Sequence, residues 1–471
     1  MDGGDVLLRV DGAHLVAGDG SPRTLRGVGL GGWMNMENFV TGYPSTESLQ
    51  RKALRKALGP EGYERFFDRF LTVFFSEEDA HFLASLGLNS LRIPLNYRHF
   101  EDDDRPFEIK QEGFAHLDRV VEACARHGIY TILDLHALPG AQNQHWHSDN
   151  PTHRALFWEH RHFQDRVVHL WEAIADRYKD QEWVAGYNPV NEPGDASGEV
   201  IGPFYRRLEA AIRAVDPRHV LFLDGNRYST DFDVLGDPLP NTVYTAHDYA
   251  LPGFPDSGPY PGISRGRYVD RDVVEKTFLA RTEYMRRTGT PIWIGEFGPV
   301  YTGDPERDEH RYRLLEDQLA IYREHDASWA LWTYKDIGLQ GVVHAAEDSS
   351  YVRRIQPVLE KKARLGVDSW GSTDAGVRHI LEPVEATFAR EFPDFDPFPW
   401  GAQRWVHLIV RHILLAEPMV ADFGRCFEGL SPDEAEALAD SFRLDRCVQR
   451  RRLVEILRMR RETSAPTSTS R

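Results

Sequence analysis

The 471-residue sequence predicts an α/β fold, a (β/α)8 or TIM barrel with a C-terminal helical appendage, and three observations carry that expectation. Eight short apolar runs alternate with longer amphipathic ones over the first 366 residues. Several of the runs, PIWIGEFG and YTILDLH among them, are apolar on consecutive positions, as strands covered on both faces must be. Beyond residue 366 the alternation stops and only helical patterns remain. Repeated strand–helix units build a parallel sheet, and eight of them close into a barrel.

In chain order, the expected strands are residues 24–32, 90–96, 130–136, 184–193, 220–225, 242–249, 291–298 and 328–336. Helical patterns occupy 114–127, which Gly128 ends, and 160–179, 202–215, 271–288 and 309–325. Ser76, followed by Glu78 and Asp79, is a helix start ahead of HFLASLG. Residues 227–241, between the fifth and sixth strands, show no clear helix, so one crossover is expected to be short. Residues 394–400 (DFDPFPW) read as a linker, and WVHLIVRHILL, apolar nearly all round, as a buried helix. SPDEAEALADSFRL, capped by Ser431, and RRRLVEILRMRR add two more helices. The division expected is a catalytic barrel over 1–366, a helical appendage over 367–460 and a disordered tail over 461–471.

Composition narrows the class. Asp and Glu number 73 against 56 Lys and Arg, a formal charge of −17, which argues against nucleic acid or an anionic membrane as partner. Cys124, Cys426 and Cys447 are odd in number and widely spaced, so they write neither a disulfide framework nor a CxxC metal site. The opening MDGGDVLLRVDG lacks the basic start and apolar core of a signal peptide, and residues 405–420, the nearest approach to a membrane span, contain Arg411, His412 and Glu417. The expectation is a cytoplasmic protein.

Three motifs have bland readings. Gly27-Val-Gly29-Leu-Gly31-Gly32 matches GxGxxG, but no helix follows at once and the next strand lies some 60 residues on, so a dinucleotide site is not expected. His136, His145, His147, His153, His160 and His162 crowd one stretch without any HExxH-like spacing, which reads as a polar loop above the barrel rather than a zinc site. The arginines between 443 and 461 are accompanied by Asp445 and Glu455 and by no aromatic residue, as on a solvated helix face.

The informative signal is a pair of carboxylates. Asn191-Glu192-Pro193 closes the fourth expected strand and Gly295-Glu296-Phe297-Gly298 the seventh. Strand C-termini face the catalytic mouth of such a barrel, and two carboxyl groups about 5 Å apart across it suit retaining glycoside hydrolysis.

With those residues in place, the sequence resembles the family 5 glycoside hydrolases over roughly residues 10–350. The resemblance supplies a candidate for each of eight recurring sugar-site positions. These are Arg92 in SLRIPLN, His136 in LDLH, Asn191 and Glu192, His247 and Tyr249 in AHDY, Glu296, and Trp332 in WALWTYK. It implies Glu296 as nucleophile, ionised by donors on Arg92 and Tyr249, and Glu192 as the acid/base, protonated at the outset. It further implies that Asn191 binds the sugar 2-hydroxyl, that Trp332 floors the ring, and that His136 and His247 are wall residues. No metal and no organic cofactor is implied.

GGWMNMENF and LDLHALPGAQN are similar to segments of the exo-β-glucanase, β-glucosidase and diglycosidase branch, which implies that Glu37 binds hydroxyls of the non-reducing terminal sugar. The expectation is therefore an exo-acting enzyme on small β-linked oligosaccharides or glycosides. The rivals are an endo-β-glycanase, a glycolipid or aglycone-glycoside hydrolase, a carbohydrate-binding barrel without catalysis, and a protein whose helical appendage is an oligomerisation or partner module. The loop 250–267 is expected to wall off one end of the cleft.

Overall fold

The computed structural model describes residues 6–462, with side chains to 458. Eight strands form a closed parallel barrel: β1 (Arg26–Gly29), β2 (Ser90–Asn96), β3 (Tyr130–Ala137), β4 (Val184–Asn188), β5 (Val220–Asp224), β6 (Thr242–His247), β7 (Ile292–Phe297) and β8 (Ser328–Leu331). β8 closes on β1, Trp329 pairing with Arg26. Every residue of β2 and β3 is buried, so apolar side chains occur on both faces of each strand, among polar ones such as Arg92, Asp134 and His136. All eight expected strands are present.

The differences are local and have physical reasons. The eighth expected run breaks after Leu331, and Lys335–Asp336 leaves the barrel to pair with Val343–Ala345, which pairs in turn with Cys447–Gln449. The fourth ends at Asn188, so Asn191 and Glu192 sit in the turn beyond it. A 28-residue helix, Glu47–Phe74, bends at Gly59 (φ 70°) and Pro60, a dipeptide that reads locally as a break. Between β5 and β6 there are only the short turns Asn226–Ser229 and Asp233–Leu235, the shortened crossover that the sequence implies.

One end of the barrel is plugged. The hairpin Arg9–Asp11 with His14–Val16 leads Leu8, Leu15 and Ala17 into an apolar cluster with Tyr130, Ile132, Val220, Phe222, Val243 and Trp293, at the starts of the strands. The strand C-termini are left as the open mouth.

The segment after Gly366 is helical: Arg378–Glu391, Gly401–Leu408, Ala416–Arg425, Pro432–Ala439 and Arg451–Glu462. From Ala416 onward it shares an apolar core with the barrel's own helices, whereas Val377, Leu381, Val406 and Val410 form a small cluster of their own. Phe442 lies 5.2 Å from Phe70 and 5.5 Å from Phe74, and Phe427 lies 6.0 Å from Phe66, between ring centroids. Buried Lys335 ties the two parts, donating to Asp79 (2.7 Å) and to the carbonyl of Phe442 (2.8 Å). WVHLIVRHILL corrects one expectation: it passes from helix into a π-helical stretch, Ile409–Leu415, that leaves Leu414 61% exposed while burying Arg411 and His412. The expected tail, 461–471, begins inside the last helix and otherwise lies outside the described residues. Among the described residues no helix is long and apolar enough to cross a membrane.

Candidate active site

Strand alternation delivers the site. Asp134 and His136, two apart on β3, face one side, and Arg92 of β2 projects into the same space. Arg92 is fully buried and every guanidinium nitrogen has a partner: Nη1 meets Glu296 Oε1 (2.5 Å), Nη2 meets Asn191 Oδ1 (2.6 Å) and Asp134 Oδ2 (3.1 Å), and Nε meets Asn188 Oδ1 (3.1 Å). The Tyr249 hydroxyl donates to the other oxygen of Glu296, at 2.9 Å. Burial alone would raise the Glu296 carboxyl, but His247, Arg92 and His136 outweigh it and hold the group at about 2.

Glu192 is presented differently. Its backbone has φ 44°, a left-handed conformation unusual outside glycine, and Asp224 of β5 holds it there by accepting from the Glu192 N–H at 2.9 Å. His247 Nδ1 lies 2.7 Å from one carboxyl oxygen and His147 Nε2 lies 3.2 Å from the other. One oxygen of Glu192, one of Glu296 and a nitrogen of His247 lie within 4.8 Å of one another. A cation seated among these three would compete with Arg92, Tyr249 and His247 for the same oxygens.

The proton on His147 can be traced. Asn143 accepts from the His145 N–H through Oδ1 (3.0 Å), which fixes the amide's orientation. Its Nδ2 therefore donates to His147 Nε2 (2.9 Å) and to the carbonyl of Glu192 (3.0 Å). Burial holds the His147 ring at about 4, so it is neutral near pH 7, with its proton on Nδ1 toward His145 (3.0 Å). Nε2, which accepts from Asn143, has no proton of its own to donate to the Glu192 oxygen 3.2 Å away.

The remaining expected residues gather beside these. Trp332 stands parallel to His136 (centroids 5.6 Å, 6°), and a Cβ on Gly29 or Gly31 would come within 2.6 or 2.5 Å of its ring. The glycines of the GxGxxG match therefore make room for an indole. His136 donates toward Asp134 (2.7 Å) and contacts Asn191 (3.2 Å); burial is outweighed by Asp134, and the imidazole is raised to about 9. Glu37 lies 3.6 Å from His136, and burial, only partly offset by that histidine, raises it to about 7.

Beside Glu192 opens a cavity of about 540 Å³. Glu192, His147, His247 and Tyr228 line it from the barrel; Trp370, Trp400 and Arg404 line it from the segment after Gly366. Glu296, Glu37 and Trp332 are not among its walls. Leu251, Phe254 and Arg265 of the 250–267 loop complete it, Phe254 stacking on Trp370 at 5.3 Å.

All nine residues singled out in the sequence thus converge on one mouth. The sequence reading missed Asp134, Asn188, Asp224, His147 and the three residues from beyond 366. Asp134 and Asp224 carry a local signal, a charge inside or ending a buried strand. His147 had only its HWH spacing, and of the crowded histidines His160 and His162 lie elsewhere, at the start of Arg161–Tyr178. Trp370, Trp400 and Arg404 carry no local signal.

Comparison with known proteins agrees with this geometry. The family model described as Cellulase (glycosyl hydrolase family 5) matches residues 62–338. A "Beta-xylosidase" of Phanerodontia chrysosporium is 47% identical over 465 residues, covering 96% of this chain and 97% of the relative. A "Probable glucan 1,3-beta-glucosidase A" of Emericella nidulans is 30% identical over 358 residues (67% and 86%), and "Endoglucanase C" of Acetivibrio thermocellus 23% over 319 residues (59% and 89%). Among solved structures, one titled "Crystal structure of endogalactoceramidase" shares the fold, with TM-score 0.51 and 19% identity over 70% of this chain and 75% of that one. A family match over more than half of the chain, and a relative 47% identical along nearly all of it, make this protein a member of glycosyl hydrolase family 5, a retaining glycosidase.

Proposed function

We propose that the enzyme is exo-acting and removes one sugar at a time from the non-reducing end of small β-linked oligosaccharides or glycosides. Glu296 is the nucleophile, since the groups around it keep it ionised at any pH where the enzyme would work. It attacks the anomeric carbon while Glu192 hands its proton to the departing oxygen; Glu192 then takes a proton from water as the glycosyl-enzyme is hydrolysed. In this reading Asn191, oriented by Arg92, binds the 2-hydroxyl and Trp332 the sugar face.

Glu37 carries the exo reading. It is a carboxyl group only 7% exposed, on the same side as His136 and away from the cavity beside Glu192. Sugar hydroxyls would satisfy it, whereas an internal residue of a 1,4-linked chain, its 4-hydroxyl consumed, would leave it short of a donor at about 1–3 kcal/mol. The 250–267 loop does not supply this closure, because its residues line the Glu192 side. A β-xyloside is the first substrate to try, from the name of the relative that aligns over 465 residues.

Digestion of end-labelled xylo-oligosaccharides and cello-oligosaccharides tests the reading. One monosaccharide released from the unlabelled end from the earliest times is expected, with proton NMR showing the β anomer first. A ladder of mid-length fragments at early times excludes exo action.

A further inference from the structure

The wall of the cavity contributed from beyond Gly366 includes a charged group that the chemistry at the strand ends does not use. Three arginines line the cavity. Arg265 pairs with Asp256 at 2.7 Å and Arg281 with Asp248 at 2.6 Å. Arg404 makes no hydrogen bond or ion pair among the described residues; its guanidinium lies 5.8 Å from the Trp400 ring centroid. Burial, with Arg411 and Arg265 nearby, pushes it down to about 10, so it stays charged near neutrality. A part-buried cation beside like charges is costly unless an anion reaches it. Among the described residues no carboxylate comes within ion-pair distance, Asp256 acting on it only from farther away, although acidic residues outnumber basic ones 73 to 56.

We propose that this wall is a leaving-group subsite for a carboxylate borne on a flat or ring-shaped aglycone, with Arg404 as the group that recognises it. The assignment rests on the reading of Glu192 as the acid: Glu192 lines this cavity and Glu296 does not, so it lies where the leaving group departs. Tyr228 and Trp400, 4.4 Å apart, and Trp370 offer aromatic faces for a ring, and a guanidinium fork matches a carboxylate with two parallel hydrogen bonds. A dianion fits less well, because Glu192 shares the cavity and Asp256 and Asp248 stand just behind two of its walls. An aromatic acid and a uronic acid residue present the same chemistry.

The test compares 4-carboxyphenyl with 4-carbamoylphenyl β-xylosides and β-glucosides on the full-length enzyme. It adds disaccharides of the same sugar on glucuronic acid and on glucose, which separate the two sources. The carboxylate is expected to be preferred by about tenfold or more in kcat/KM, mostly through KM, with the preference shrinking as salt is raised. Arg404→Gln is expected to lower kcat/KM for the acidic substrate at least tenfold more than for its neutral partner, and Arg404→Lys to restore part of the difference. Equal handling of the acid and the amide by wild type, or equal losses on both in Arg404→Gln, overturns the proposal. Calorimetric binding of 4-hydroxybenzoate against 4-hydroxybenzamide needs no turnover, so it reports on this wall even if the terminal-sugar reading fails. Indifference between those two probes counts against Arg404 alone.

Discussion

The floor of the mouth and the wall beside it are built on opposite principles. On the floor, strand ends bring Arg92, Asp134, Asn191, His247 and Glu296 together, and nearly every donor meets an acceptor within the protein. On the wall, loops and the segment after Gly366 bring aromatic rings and a cation that has no hydrogen-bond or ion-pair partner among the described residues. The floor's network is paired mostly within itself, with only His247 Nε2 and Asp134 Oδ1 left without a hydrogen bond among the site atoms. Such a buried network fixes charge states before substrate arrives, which is what a nucleophile held at about 2 requires. A wall with unused faces and an unpaired charge has binding capacity left for a ligand. The chemistry sits on rigid strands, and the choice of leaving group sits on elements far along the chain.

The largest expected effect tests the floor. Glu296→Ala should cost on the order of 10³-fold or more in rate with every substrate, because no covalent intermediate can form. Glu192→Ala should cost much less with nitrophenyl glycosides than with oligosaccharides, whose leaving groups need the proton. Equal losses on both would sink the division of roles between the two carboxylates.

The next tests whether the wall's support is one body with the barrel. Phe442 is buried against Phe70, Phe74 and Tyr351, so Phe442→Ala should destabilise the protein by about 3–5 kcal/mol and lower a single unfolding transition seen by calorimetry. A separate low-temperature transition, with the main one unmoved, would show instead that the helical segment unfolds independently.

Two smaller effects sharpen the contrast at Glu37. Glu37→Ala should reduce kcat/KM by roughly ten- to a hundredfold, at about 1.4 kcal/mol per decade, while unchanged kinetics would falsify its place in sugar binding. Its titration gives a stability test. The folded value of about 7 lies above the ordinary 4.5, so the fold prefers the neutral acid. That preference is fully present below pH 4.5 and is lost as pH rises through 7. At pH 8 the wild type then carries a cost on the order of 1–3 kcal/mol. Glu37→Gln removes that cost, so its Tm relative to wild type should climb between pH 5 and pH 8. A pH-independent difference would mean that the carboxylate is no less comfortable in the fold than in water.

The sequence by itself determined the barrel, because strands covered on both faces carry apolar residues on consecutive positions and eight such runs admit few arrangements. It also determined the carboxylate pair, since Glu192 and Glu296 follow such runs and strand ends of a closed barrel meet at one mouth. Glu47–Phe74 was hidden because Gly59-Pro60 breaks the local helix signal, although the bent helix remains buried against its neighbours. The outward turn after Leu331 was equally hidden, since Lys335 and Asp336 follow an apolar strand without any break in the pattern.

Only the tertiary structure decided which distant residues complete the site. His147 faces Glu192 because Asn143 and His145 lock a loop whose one regular piece is the single 3-10 turn Trp146–Ser148, too short to show a period from which direction can be read. Trp370 and Trp400 meet the barrel at the cavity itself, against Phe254 and Tyr228, while Phe427 and Phe442 dock the later helices on Glu47–Phe74. That packing joins positions some 370 residues apart, and short-range patterns record which residues are apolar but not which apolar faces meet.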